Sequence, residues 1–237
     1  MDNKSLFSYL CSPLLSKCVK AILFELGGEG FEIPECPRLD KPVASHPDML
    51  FSELSDGTIV TEEAYYSENK AFFESLPFHH RIKPVATKLA PKYPNDVAFD
   101  VIRHSGLVIG KTQCIAHEII ADATAAVDVK QGYALCSVLK ADGFAITADK
   151  SLYKVLVDNN CETLLVSGKY IALNGYDCGF IGGASCVVEK LKTVVFFGNL
   201  EMHEDFLKIK EFIESRGYKI MYPKYMPLED FGGIKII

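Results

Sequence analysis

No Cys-x-x-Cys pair occurs in the chain, and none of its eight cysteines stands with histidine at the spacing a zinc site needs. No metal centre is expected, and no motif implies a cofactor. No apolar run approaches the roughly 18 uninterrupted residues of a membrane span. Lysine and arginine, 25 in all, are scattered without a stripe, so the electrostatic footprint of a nucleic-acid binder is missing. The apolar opening from Leu6 to Leu26 is broken by Pro13, Lys17 and Lys20, and no small-residue cleavage site follows it. The expectation is a chain without an export signal or membrane partner, holding reduced thiols in the cytoplasm. The net charge of -6 is ordinary for a soluble protein and would also suit a cationic substrate.

What is present is a large apolar fraction, 49% of 237 residues, enough to bury a sizeable core in one domain spanning residues 1–237. The clearest stretch is Gln131 to Ser167. Gln131 to Lys140 reads as a strand, Ala141-Asp142-Gly143 as a turn, and Phe144 to Thr147 as the returning strand. Lys150 to Val157 carries Leu152, Val155 and Leu156 at helical spacing, and Thr163 to Ser167 is a short buried strand. The unit is therefore strand, strand, helix, strand.

The pattern recurs. His46 to Leu54 opens a strand, Asp56-Gly57 turns it into Thr58 to Thr61, Ser67 to Leu76 is helical with Ser67 as N-cap, and Ile82 to Ala86 closes the unit. Val97 to Arg103, the Ser105-Gly106 turn, Leu107 to Ile109, a helix from Ile115 to Ala121 and a strand from Ala125 to Val129 make another. A further unit runs from Asp177 through Val188, Thr193 to Phe197, an amphipathic helix from Glu204 to Arg216, and Tyr218 to Met221. At the ends, Leu6 to Ser16 reads as a short helix, while Val19 to Leu26 and Asp230 to Ile237 read as strands. Joined, they make a fifth unit split across the two termini. The expected fold class is α/β, a five-unit ββαβ propeller, which leaves no exposed sheet edge at its closure. The alternative is a generic α/β domain with one mixed sheet.

Aligning the first strands puts Asp48, Asp100, Cys136, Cys186 and Asp230 at similar places. A ring of such units resembles the pentein fold of guanidino-group modifying enzymes: arginine deiminase, agmatine deiminase, dimethylarginine dimethylaminohydrolase and the amidinotransferases. The rotated order of units is similar to that of a bacterial group of small pentein-like proteins. His46-Pro47-Asp48 before an apolar strand resembles the His-x-Asp of arginine deiminases, and Asp230-Phe231-Gly232-Gly233 loosely resembles their acidic glycine motif. Cys136-Ser137-Val138 and Cys186-Val187-Val188 both resemble the family cysteine at the head of an inner strand. Ring order favours Cys136, two units after His46. The glycine-rich approach Gly182 to Ser185 favours Cys186 as the alternative nucleophile.

The resemblance implies a cysteine-dependent hydrolase or amidinotransferase acting on a small cationic guanidino compound. A guanidinium carbon is a poor electrophile, but a thiolate can attack it, and a bound cation helps form that thiolate. Cys136 would form the covalent intermediate, and His46 would protonate the leaving amine and then activate water. Asp48 and Asp230 would grip the cation or orient His46, with Asp100 and Asp177 as further acids of the same mouth. The family's fuller motifs around histidine and cysteine are missing, and Asp230 stands where it has glutamate.

Each residue also has a plainer reading. A lone cysteine in an apolar strand is commonly a small core residue, and strand-end aspartates commonly bond local backbone. The pentein fold also includes a ribosome anti-association initiation factor, which works by contact and not by catalysis, so a non-catalytic binder is the second functional reading.

Overall fold

The computed structural model describes residues 5–237. In the first unit, β1 (Phe7–Cys11) is followed by α1 (Lys17–Glu25) and β2 (Gly28–Glu32). The second holds a single helical turn α2 (Pro47–Leu50), β3 (Ser52–Glu53), β4 (Ile59–Glu62), α3 (Glu63–Glu68), α4 (Lys70–Ser75) and β5 (Ile82–Val85). The third is β6 (Ile102–His104), β7 (Leu107–Gly110), α5 (His117–Ala121) and β8 (Ala125–Asp128). The fourth is β9 (Val138–Ala141), β10 (Phe144–Thr147), α6 (Lys150–Asp158) and β11 (Glu162–Leu165). The fifth is β12 (Ser185–Val188), β13 (Thr193–Phe196), α7 (Phe206–Glu214) and β14 (Lys219–Met221), and β15 (Ile234–Ile236) ends the chain.

Five three-stranded sheets result, each with the same connectivity. In the fourth, β10 pairs antiparallel with β9 and parallel with β11. A tight turn serves the antiparallel pair, and a helical crossover is what the parallel pair requires. The split unit obeys the same rule: β1 pairs antiparallel with β15, Tyr9 opposite Ile236, and parallel with β2. The C-terminal strand thus completes the N-terminal sheet, and the fold is the five-unit propeller.

Hydrogen bonds link every neighbouring pair of units. Asp48 N–H donates to the Gly232 carbonyl, Gly183 N–H to Cys136, and Phe231 N–H to Gly183. Ser55 donates to Asp122, and Leu135 N–H to the Asp100 carboxylate. The crossover helices α1, α3, α6 and α7 pack against their own sheets, while the turn α2 is wholly buried against β15. Phe51, Tyr65 and Phe73 form one such layer, their rings edge to face at 5.5 to 6.2 Å.

Local chemistry sets the turns and caps. Gly57, Gly106 and Gly143 take φ near +83° in the three hairpins, a region that side chains disfavour. Asp149 caps α6 by accepting the Ser151 and Leu152 N–H groups, each at 2.8 Å.

The structure corrects several boundaries. Val19 to Leu26 is not a strand but most of α1, capped by Ser16, with Val19 and Leu23 inward and Phe24 exposed. Leu6 to Ser16 is not a helix; it holds β1 and the turn at Pro13. Ser67 is not an N-cap, because the helix begins at Glu63 and breaks at Asn69. All the first strands are shorter than their apolar runs. In each unit the residues ahead of the strand leave the ladder and turn towards the centre.

Candidate active site

Those central turns carry the chemistry. Asp100 and Cys136 each lie two residues before their first strand, β6 and β9. Asp48 and Asp230 each lie four residues before β3 and β15. The turns bring Cys136, Asp100, Asp48, Asp230 and His46 into one buried cluster, in which none is more than 6% exposed.

The Cys136 thiol donates to Asp100 Oδ2 at 2.8 Å. Asp100 Oδ1 accepts the backbone N–H groups of Leu135 and Cys136, which fixes the acid against the cysteine turn. Asp230 is held by Phe180 N–H on Oδ2 and Gly232 N–H on Oδ1, both at 2.9 Å. His46 Nδ1 stands 3.8 Å from Asp230 Oδ1, an ionic contact if the ring is charged. Gly232 has φ +75°, and a Cβ there would overlap His46. A Cβ on Gly183 would overlap the Asp230 carboxylate. Gly183 is therefore required by close approach, and Gly232 by close approach and by its left-handed backbone.

Asp48 differs from its neighbours. The Cys136 thiol is near it and eases its ionisation, yet the S–H points to Asp100. Neither Asp48 carboxyl oxygen has a partner at hydrogen-bond geometry, although the Met49 N–H also lies near enough to ease its ionisation. Among the described residues no lysine or arginine pairs with Asp48, Asp100 or Asp230. A buried acid without a partner is costly, so the ionised form is suppressed. Burial, with Asp100 and Asp230 nearby, pushes Asp48 well above the usual carboxylate range. Burial pushes Asp100 up to about 7 and Asp230 up to about 6. Burial and the surrounding carboxylates push the Cys136 thiol up, and burial lowers His46 to about 4. At neutral pH the centre therefore holds a thiol, a neutral imidazole, a protonated Asp48, a half-ionised Asp100 and a largely ionised Asp230. A cation brought among them would reverse each of these shifts except that of His46.

Two residues expected at this centre lie elsewhere. Asp177 is exposed on the loop before β12 and lines a surface depression with Lys169 and Pro227. Cys186 is inside β12, opposite Val195, and packs with Tyr9 and Phe197. In the fifth unit the place two residues before the strand belongs to Gly183. Burial pushes the Cys186 thiol well up.

Tyr133 was not singled out by the sequence; burial and the Asp96 carboxylate push its hydroxyl well up, with Cys136 a minor contributor. Its hydroxyl donates to Asp96 Oδ2 at 2.7 Å, and its ring stacks on Phe180. Asp96 and Tyr133 lie 37 residues apart in two loops, and no local motif links them. A cavity of about 340 Å³ runs along the inner strands from Asp48, Gly182 and Gly232 to Glu53 and Lys235.

The family described as "Family of unknown function (DUF6873)" matches residues 11–235. No curated protein matches the chain in sequence. Among solved structures, dimethylarginine dimethylaminohydrolase of Pseudomonas aeruginosa, complexed with citrulline, is 9% identical with a TM-score of 0.53, covering 92% of this chain and 91% of that one. The inosamine-phosphate amidinotransferase of Streptomyces griseus is 14% identical with a TM-score of 0.52, covering 91% and 75%. The agmatine deiminase of C. jejuni is 8% identical with a TM-score of 0.50, covering 93% and 87%. At such identities the likeness is one of fold: the chain has the pentein fold, and its structural neighbours are guanidino-modifying enzymes.

Proposed function

The chain belongs to the DUF6873 family, and from that premise we propose that it is a cysteine-dependent enzyme that modifies a small cationic guanidino compound. The observation that carries this reading is the unpartnered Asp48 carboxyl beside a thiol that donates to Asp100 at 2.8 Å. Three acids without a counter-cation form a receptor for a planar donor-rich cation, which can satisfy several carboxylate oxygens at once.

The arriving guanidinium drives its acids to ionise and lowers the thiol pKa by proximity of charge. The Cys136 thiol passes its proton to the Asp100 carboxylate that it faces at 2.8 Å, and His46 takes up a proton as the acids ionise, becoming imidazolium beside Asp230. The Cys136 Sγ–carbon bond forms, the carbon–nitrogen bond to the leaving amine breaks, and His46 gives its proton to that amine. Water or a second amine then attacks the amidino-cysteine carbon, His46 accepts its proton, the Sγ–carbon bond breaks, and Asp100 returns its proton to the sulfur to restore the thiol; a hydrolysis product sheds its remaining proton to solvent. Water gives hydrolysis, and an amine gives amidino transfer.

The test is incubation with arginine, agmatine and methylated arginines, alone and with an added acceptor amine, followed by assay of released ammonia or amine. Turnover lost in Cys136→Ala and kept in Cys186→Ala supports the reading. Absence of product from every compound, or equal product from Cys136→Ala, overturns it.

One observation favours a second reading, that of a non-catalytic binder: Cys136 is only 3% exposed and its thiol is held protonated. In that case guanidino compounds leave the alkylation rate of Cys136 unchanged, whereas an enzyme shows faster or fully blocked labelling.

A further inference from the structure

The axial cavity has a floor and a mouth. Asp48 at one end is buried, while Glu53 and Lys235 at the other are 36% and 21% exposed along their side chains. Between them the walls carry the apolar Leu139, Val187 and Ile236 together with Lys140 and the exposed Glu189. Lys235 Nζ contacts Glu53 Oε2 at 2.9 Å, so the mouth is spanned by an ion pair that Arg81 also joins. The floor presents one acceptor group without a donor, the Asp48 carboxyl, while the Leu135 and Cys136 carbonyls beside Gly182 already accept the Val138 and Gly183 N–H groups. A buried carboxyl that lacks donors attracts a small group made of donors.

We infer that the axial cavity is a binding site and passage for a small amine cation, of ammonium or methylammonium size, seated on Asp48 and admitted past the Glu53–Lys235 pair. The inference rests on the reading of the centre as a cation receptor, but on no turnover at Cys136. If that centre releases an amine, the amine leaves Asp48 along this cavity on the strand side.

Thermal unfolding of the full chain, titrated with ammonium, methylammonium, sodium or tetramethylammonium at matched ionic strength, tests this. The expected result is a saturable rise in Tm with ammonium and methylammonium alone. Asp48→Asn should weaken the midpoint concentration about tenfold or more, the loss of a charge-assisted hydrogen bond. Val187→Trp and Ile236→Trp, at half-buried wall positions, should each abolish the response by filling the passage. Asp149→Ala, at the cap of α6 and away from the cavity lining, should keep it, and the response needs no guanidino compound, which separates this site from the proposed catalysis. An equal rise with sodium or tetramethylammonium, no rise at all, or an undiminished rise in Asp48→Asn or in both filled variants would overturn the inference.

Discussion

Replacing Asp100 by asparagine should make the protein more stable as the pH rises. Asp100 is fully buried, and the amide keeps an oxygen for the Leu135 and Cys136 N–H groups while removing a charge that burial opposes. In the wild type, burial raises this carboxyl from 3.8 to about 7. The folded state therefore holds its proton more tightly than the unfolded chain. That contribution is fully present below the unfolded value of 3.8 and is lost as the pH rises through about 7. Three pKa units at about 1.36 kcal/mol each amount to about 4 kcal/mol. Asp48, Asp100 and Asp230 titrate as a coupled set, so the loss is shared, and at least half of it should belong to this substitution. His46 acts in the opposite sense, its contribution lost as the pH falls through about 4, but it is common to both proteins and cancels. Urea unfolding of wild type and Asp100→Asn at pH 4, 6 and 8 reads the difference. A variant-minus-wild-type stability that grows by about 2 to 4 kcal/mol from pH 4 to 8 is expected. A flat difference, or one that falls with pH, would refute the argument that an unneutralised acid is buried here.

Other substitutions probe the frame. Gly183→Ala forces a methyl into the Asp230 carboxylate and should cost about 1 to 3 kcal/mol in urea unfolding, while displacing the partner of His46. Asp149→Ala removes the cap of α6 and should cost about 1 kcal/mol by the same assay, with no effect on ammonium binding. Phe73→Ala empties the layer shared with Phe51 and Tyr65 and should cost about 3 to 5 kcal/mol, read as a lower Tm.

Much of the propeller was legible because its signals are local. Asp56-Gly57, Ser105-Gly106 and Asp142-Gly143 mark three hairpins through the positive φ their glycines adopt, and α6 and α7 declare themselves by spacing. The N-terminal unit was misread for a physical reason. Val19 to Leu26 has only Lys20 and Glu25 to mark its polar face, so its period is weak, and burial shows that Val19 and Leu23 face inward while Phe24 does not. The over-long first strands share one cause. A β-like apolar run does not reveal that its leading residues will hydrogen-bond to the next unit, as Asp48 does to Gly232. The grouping of Cys136 with His46, Asp48, Asp100 and Asp230 came from ring order, since nothing local connects them. Asp177 was included by proximity in sequence to the fifth unit and lies on the surface. Tyr133 against Asp96 could not be read, because a hydrogen bond between two loops leaves no periodic trace.

The most direct measurement is acid-quenched peptide mass mapping of the protein mixed with arginine, agmatine and methylated arginines. An amidino-derived adduct on the peptide that carries Cys136, absent from Cys136→Ala, is the expected result. Peptides free of adduct with every compound, or an adduct on Cys186 instead, would contradict the assignment of Cys136 as the nucleophile of a guanidinium receptor.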